Sequence, residues 1–82
     1  MITDKEIALA IVEKKIEHLK KSKENKVDRV DLYQEKGKIE GFVECLRMLD
    51  VISYEDDIKI FDRIEEIMYG DVFKRVKEII NS

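Results

Sequence analysis

The segment from Gly37 to Ile52 constrains the fold of this chain most strongly, because it has the apolar pattern of a helix that is covered on two sides. A surface helix needs an apolar arc of only about 100°, whereas this segment is apolar around more than half of its circumference. We therefore expect it to pack against its own chain and also against a second copy. Its two adjacent stripes are Ile39, Phe42, Leu46 and Leu49, widened by Val43, and Gly41, Cys45, Met48 and Ile52.

The composition of the chain is typical of one all-α domain that spans residues 1–82. Hydrophobic residues make up 44% of the chain and charged residues 43%, which suits amphipathic helices and is too apolar for intrinsic disorder. Proline is absent, and no segment alternates with the period of two that a half-buried strand would show. No apolar run approaches the roughly 20 residues of a membrane span. The single cysteine excludes an internal disulfide, so we expect a cytoplasmic protein. Because no apolar run is long enough, we expect no membrane contact.

Capping residues mark the first two predicted helices. Thr3 and Glu6 form a capping box that opens a helix over about residues 4–23. Asp28 caps a second helix over about residues 29–51, and Asn25 is expected to adopt the left-handed conformation in the connection. A connection this short predicts a long antiparallel helical hairpin.

The remaining chain is expected to form two shorter helices. Ser53 caps a helix over about residues 54–68, and Gly70 with Asp71 is expected to end it and begin a fourth helix over about residues 72–80. Together the four helices predict a small helical bundle that dimerisation completes. The residues expected to face inward are Ile60, Phe61, Ile64, Ile67 and Met68 on the third helix and Val72, Phe73, Val76, Ile79 and Ile80 on the fourth.

Small residues one turn apart on the second helix predict a close helix contact. Each glycine inside a helix costs about 1 kcal/mol relative to alanine, so a compensating contact is expected. The approaching backbone belongs to the same chain or to a second copy; a ligand gap beside the glycines is the alternative. The predicted helix-packing or interface residues are Gly37, Gly41, Cys45, Met48 and Ile52.

The sequence predicts no catalytic, cofactor-binding or metal-binding residue, and we do not expect an enzyme. His18 and Cys45 are the only histidine and cysteine, too few for a zinc site, and Cys45 is expected to be a buried apolar residue. Glu40 and Glu44 lie one turn apart, but Lys36 and Arg47 are spaced to neutralise them. No phosphate-binding loop or dinucleotide fingerprint occurs.

The charge distribution is uneven, with a net +3 over residues 13–29 and a net −6 over residues 50–71. The basic residues at the tip of the predicted hairpin could contact nucleic acid, but acidic residues are interleaved with them and base-reading aromatic residues are missing. Nucleic acid is therefore the less favoured partner. The candidate contacts for it are Lys20, Lys21, Lys23 and Lys26.

These patterns favour a small helical interaction or structural module that acts by self-association, as a homodimer, or through a helical protein partner. The alternative is a nucleic-acid-associated regulator that uses the lysine-rich tip. The twelve isoleucines and twelve lysines, set against only three amide residues, favour a thermophilic source. No biochemical role beyond this follows from the sequence.

Overall fold

A computed structural model describes residues 2–81, and this range contains three α-helices and no strand. Helix α1 spans Asp4–Glu24, α2 spans Arg29–Met48 and α3 spans Tyr54–Asn81. The all-α class predicted from the sequence is therefore confirmed. The predicted number of four helices was wrong, because the 28 residues of Tyr54–Asn81 form one helix.

The predicted helix starts are confirmed by their caps. The Thr3 hydroxyl accepts a hydrogen bond from the Glu6 amide at 3.2 Å, and the Asp28 carboxylate caps α2. Ahead of α3, the Ser53 amide donates to Asp56 at 3.0 Å and the Asp56 amide donates back to the Ser53 hydroxyl at 3.2 Å. These reciprocal bonds satisfy amide groups that a helix start leaves without partners.

Both connections begin with the same turn. Lys26 and Asp50 adopt the left-handed conformation, each with φ of 57°. In each case the amide of the next residue reaches back to a carbonyl in the last helical turn, at 3.2 Å for Val27 and 2.9 Å for Val51, which is the Schellman arrangement. The expectation for Asn25 was wrong, since its φ is −80°. The turn at Asp50 also ends α2 before residue 51.

Helix α3 passes without a break through the position where the sequence predicted two shorter helices. No glycine in residues 2–81 has a positive φ, so Gly70 is an ordinary helical residue. Asp71 lies inside the helix, where its carboxylate accepts a hydrogen bond from the Val72 amide at 3.0 Å. A helical glycine costs only about 1 kcal/mol, and the helix-forming residues on both sides maintain the hydrogen-bond ladder across it.

The core lies where the three helices meet. The contacts run in opposite directions along α1 and α2, since His18 pairs with Glu35 while Lys15 lies over the ring of Phe42. The buried apolar residues are Ala8, Val12, Ile16 and Leu19 on α1, Leu32, Ile39, Val43 and Leu46 on α2, Ile52 in the second connection, and Ile60, Ile64 and Met68 on α3.

Helix α3 extends beyond the other two. At 1.5 Å per residue it is about 42 Å long, whereas α1 and α2 are about 30 Å each. The molecule is correspondingly elongated, 51 × 27 × 22 Å. Residues 71–81, which we call the C-terminal arm, are exposed throughout.

Candidate interaction surface

The residues predicted to form an interface on and after α2 fall into two groups in the structure, one buried and one exposed. Ile52 is only 4% exposed and belongs to the core, so it is not accessible to a second copy. Gly37, Gly41, Cys45 and Met48 are exposed. A Cβ atom built on Gly37 or Gly41 would meet no heavy atom within 4 Å. Close packing of these glycines within the chain was therefore a wrong prediction, and their contact with a second copy stays a prediction.

Two further expectations about single residues have different outcomes. Cys45 is exposed, so the expectation that it is buried was wrong. It lies on the outer side of α2, one turn beyond Gly41, rather than on the side of Val43 and Leu46. His18 is also exposed, and its Nδ1 atom pairs with the carboxylate of Glu35.

Most of the apolar residues that the sequence placed inward on the second half of α3 are exposed instead. The exposed fraction is 58% for Phe73 and 74% for Ile80, and Val72, Val76 and Ile79 are also exposed. Phe61, in the first half of α3, is 51% exposed. The physical reason is the continuity of α3, which carries the arm past the ends of α1 and α2 instead of folding it back over them.

Phe61, Phe73, Val76 and Ile80 belong to one long surface on α3, which we call the α3 stripe; Val72 and Ile79 are exposed within the same arc but fall outside its regular spacing. Its residues recur at intervals of 4, 3, 4, 4, 4, 3 and 4 along the chain. At 100° per residue they fall within an arc of about 120°. This arc is distinct from the buried side of α3, which carries Ile60, Ile64 and Met68. The members of the α3 stripe are Tyr54, Ile58, Phe61, Glu65, Tyr69, Phe73, Val76 and Ile80.

A charged layer joins the middle of the α3 stripe to α2. The Lys36 Nζ atom lies 3.2 Å from a carboxylate oxygen of Glu65 and 3.2 Å from one of Glu40, and 5.4 Å from the centre of the Tyr69 ring. Burial opposes the charge of Lys36, but the two carboxylates outweigh it and raise the pKa of this lysine. Partial burial and a hydrogen bond with Tyr33 likewise raise the pKa of Tyr69. The centre of the stripe is thus held in place by α2.

The first turn of α3 is held equally firmly. Arg47 on α2 lies 3.2 Å from the carboxylate of Asp57 and stacks over the Tyr54 ring at 4.9 Å. The amide of Ser53 and the ammonium group of Lys5 lower the pKa of Asp56 to about 2. Further along, Arg63 makes a two-point ion pair with Glu13 on α1, with 2.7 Å for one of the two contacts. The beginning of the stripe therefore lies on an acidic surface that contacts α1 and α2 through ion pairs.

The two ends of α3 differ in charge. Residues 54–66 contain six acidic and two basic residues, a net charge of −4. The C-terminal arm contains three basic and two acidic residues, a net charge of +1. Beside Phe61, the groove between α2 and α3 is lined by three carboxylates, those of Glu40, Glu44 and Asp57. An apolar surface thus runs from a strongly acidic end to a basic one.

The candidate nucleic-acid contacts do not behave as one group. Lys20, Lys21 and Lys26 are exposed. Lys23 is half-buried and donates a hydrogen bond to the carbonyl oxygen of Met68 at 3.2 Å, with the Asp71 carboxylate 4.0 Å away. Lys23 therefore has a structural role in joining α1 to α3.

Within residues 2–81, no group of three or more His, Cys, Asp or Glu side chains is placed to hold a metal ion. None of the three described helices has the length and apolar character needed to cross a bilayer. The fold and its surface define a small three-helix protein with an amphipathic helix that projects from the bundle. No protein-family model matches the sequence, and no curated protein or solved structure is significantly similar to it.

Proposed function

We propose that this protein is a small helical interaction module that acts by associating with a second copy or with a helical partner. The observation that carries the proposal is the exposure of the apolar residues of the α3 stripe on both sides of its half-buried centre, from Tyr54 to Phe61 and from Phe73 to Ile80. Its apolar members expose roughly 600 Å² per chain, at the upper end of what a soluble monomer usually leaves uncovered.

Self-association is favoured over a different partner because a two-fold dimer covers the surface with the same surface of the other copy. The test is the mass of the full chain, measured by light scattering across the micromolar range. We expect a mass near twice the 9.7 kDa of one chain, decreasing on dilution. A mass of 9.7 kDa at every concentration would contradict self-association.

A second candidate function is nucleic-acid binding, which gains support from the position of the C-terminal arm. Lys74, Arg75 and Lys77 follow directly after the turn of α3 that Lys23 contacts, so they add basic residues at the end of the bundle where Lys20, Lys21 and Lys26 lie. Against it, Glu24, Asp28 and Asp71 share that end. This function predicts binding to a DNA duplex that weakens steeply between about 50 and 200 mM salt.

The matched test replaces Lys20, Lys21 and Lys26 by Gln and leaves Lys23 in place, because Lys23 supports the fold. Loss of DNA binding in this variant, with an unchanged melting temperature and mass, would establish the second function. If the protein is an interaction module only, neither the wild type nor the variant is retained on DNA at about 150 mM salt.

A further inference from the structure

We propose that two copies of this chain pair through the α3 stripe, with the two α3 helices antiparallel and a two-fold axis level with residue 67 along the helix. This rests on the proposed self-association and specifies its surface and geometry. It assigns the interface to α3 and the C-terminal arm, and not to the glycine face of α2.

The spacing of the stripe carries the geometry. Its intervals of 4, 3, 4, 4, 4, 3 and 4 read the same in both directions, with their centre at Ile67. An antiparallel copy therefore presents a member of the stripe opposite every member, while the exposed Val72 and Ile79 come opposite Asp62 and Glu55. A two-fold contact requires this self-complementarity. The resulting pairs are Tyr54 with Ile80 of the second copy, Ile58 with Val76, Phe61 with Phe73, and Glu65 with Tyr69.

The charges of the two ends agree with this orientation. Antiparallel pairing places the arm of one copy, net +1, beside residues 54–66 of the other, net −4. Arg75 of the arm lies on the same flank of α3 as Asp57, at 100° per residue, so it then lies near the groove that holds the carboxylates of Glu40, Glu44 and Asp57. A parallel pair would instead place the two segments of net −4 side by side, and like charges at an interface are unfavourable.

The exposed apolar area of the α3 stripe is also large enough for a dimer interface. Covering the stripe on both copies would remove roughly 1,200 Å² of apolar surface from water. Stable protein interfaces bury about 1,200–2,000 Å² in total, so complete burial of the stripe on both copies brings the pair to the lower end of this range. The arm, whose residues are all exposed in the single chain, would then be covered by the second copy.

Engineered disulfides test the pairing directly. In a Cys45→Ser background, Ile58→Cys and Val76→Cys are made as separate single variants. Residues 58 and 76 of one chain lie about 27 Å apart along α3, and a disulfide needs Cα atoms within about 7 Å. With oxidised glutathione, we expect no covalent dimer from either variant alone. An equimolar mixture of the two variants should give a covalent heterodimer.

Three outcomes are decisive. Cross-linking of Ile58→Cys with itself would show a parallel pair and overturn the proposed geometry. A non-covalent dimer by light scattering, with no cross-link in the mixture, would overturn the α3 pairing while leaving self-association in place. A monomeric mass for the wild type would overturn both. The variants Tyr54→Cys and Ile80→Cys, at positions that are 64% and 74% exposed, repeat the test if the first pair lowers the melting temperature.

Discussion

Lys23 on α1 donates a hydrogen bond to the main-chain carbonyl oxygen of Met68 on α3 across 3.2 Å. Met68 is the last buried residue of α3, and every described residue from position 71 onward is exposed. The contact therefore marks the end of the three-helix bundle. An isolated helix shorter than about 12–15 residues is marginal in water, so the 11-residue arm depends on the buried half of α3 and on whatever covers its apolar face.

The variant Val76→Lys is expected to weaken self-association. In the proposed pair each Val76 lies opposite Ile58 of the other copy, so the dimer loses two buried contacts and acquires two desolvated charges. Losing the burial of one valine costs about 1.5 kcal/mol or more, which corresponds to at least about tenfold in the dissociation constant. Light scattering on a dilution series measures the change.

Met48→Lys is the matched control, because Met48 is 77% exposed and lies on α2 outside the stripe. It should leave the mass unchanged. If Met48→Lys dissociates the dimer and Val76→Lys does not, the interface lies on the face of Gly41 and Met48 that the sequence indicated.

Gly41→Ala should stabilise the protein. Nothing lies within 4 Å of a Cβ atom at this position, and alanine is the better helix former, so the free energy of unfolding should rise by about 0.5–1 kcal/mol. Gly37→Ala, equally unobstructed, should behave alike. Urea unfolding measures both. A destabilised Gly41→Ala with reduced self-association would indicate that a second copy approaches α2 at this glycine.

Gly70→Ala tests the continuity of α3. The new methyl group would lie 3.6 Å from the Cγ atom of Glu66, an ordinary contact. We expect the melting temperature to rise, from a gain of about 1 kcal/mol, together with a small increase in helical ellipticity. If α3 instead ended at Gly70 in a left-handed conformation, as the sequence suggested, alanine would be strained there and the melting temperature would fall.

The stability should fall in acid, in part through Asp56. The Ser53 amide and Lys5 lower the pKa of Asp56 in the folded state to about 2, from 3.8. A carboxylate with a lowered folded-state pKa stabilises the protein above its unfolded pKa and loses this effect as the pH falls through its folded pKa. The contribution should therefore be lost between about pH 4 and pH 2. In Asp56→Asn, the melting temperature should depend less on pH across this window; an unchanged slope would contradict the assignment.

Local chemistry made the helix starts predictable. Thr3, Asp28 and Ser53 cap their helices through side-chain atoms only two or three residues from the amides they bind. Such contacts depend on sequence spacing alone. The apolar spacing of α1 is equally local, since Val12, Ile16 and Leu19 recur at intervals of four and three and are all buried.

The sequence predicted an end of the third helix at Gly70, although one helical glycine costs only about 1 kcal/mol. The helical segments on both sides of Gly70 outweigh that cost, so α3 continues through it. Gly70 and Asp71 form a local stop signal of the kind that ends a helix through a left-handed glycine, but Gly70 has no positive φ and the helix continues. The exposure of the arm follows from that continuity. The symmetric spacing from Tyr54 to Ile80 was present in the sequence, but it becomes visible only when residues 54–81 are treated as one helix.

Amide hydrogen exchange in the C-terminal arm tests most directly whether a second copy covers the α3 stripe. A lone projecting helix of this length should open with little free energy, so its amides should exchange quickly at any protein concentration. If the second copy covers it, exchange at residues 73–80 should slow as the concentration rises through the micromolar range, while the amides of α1 change little. Fast exchange in the arm that does not depend on concentration would contradict the proposed pairing.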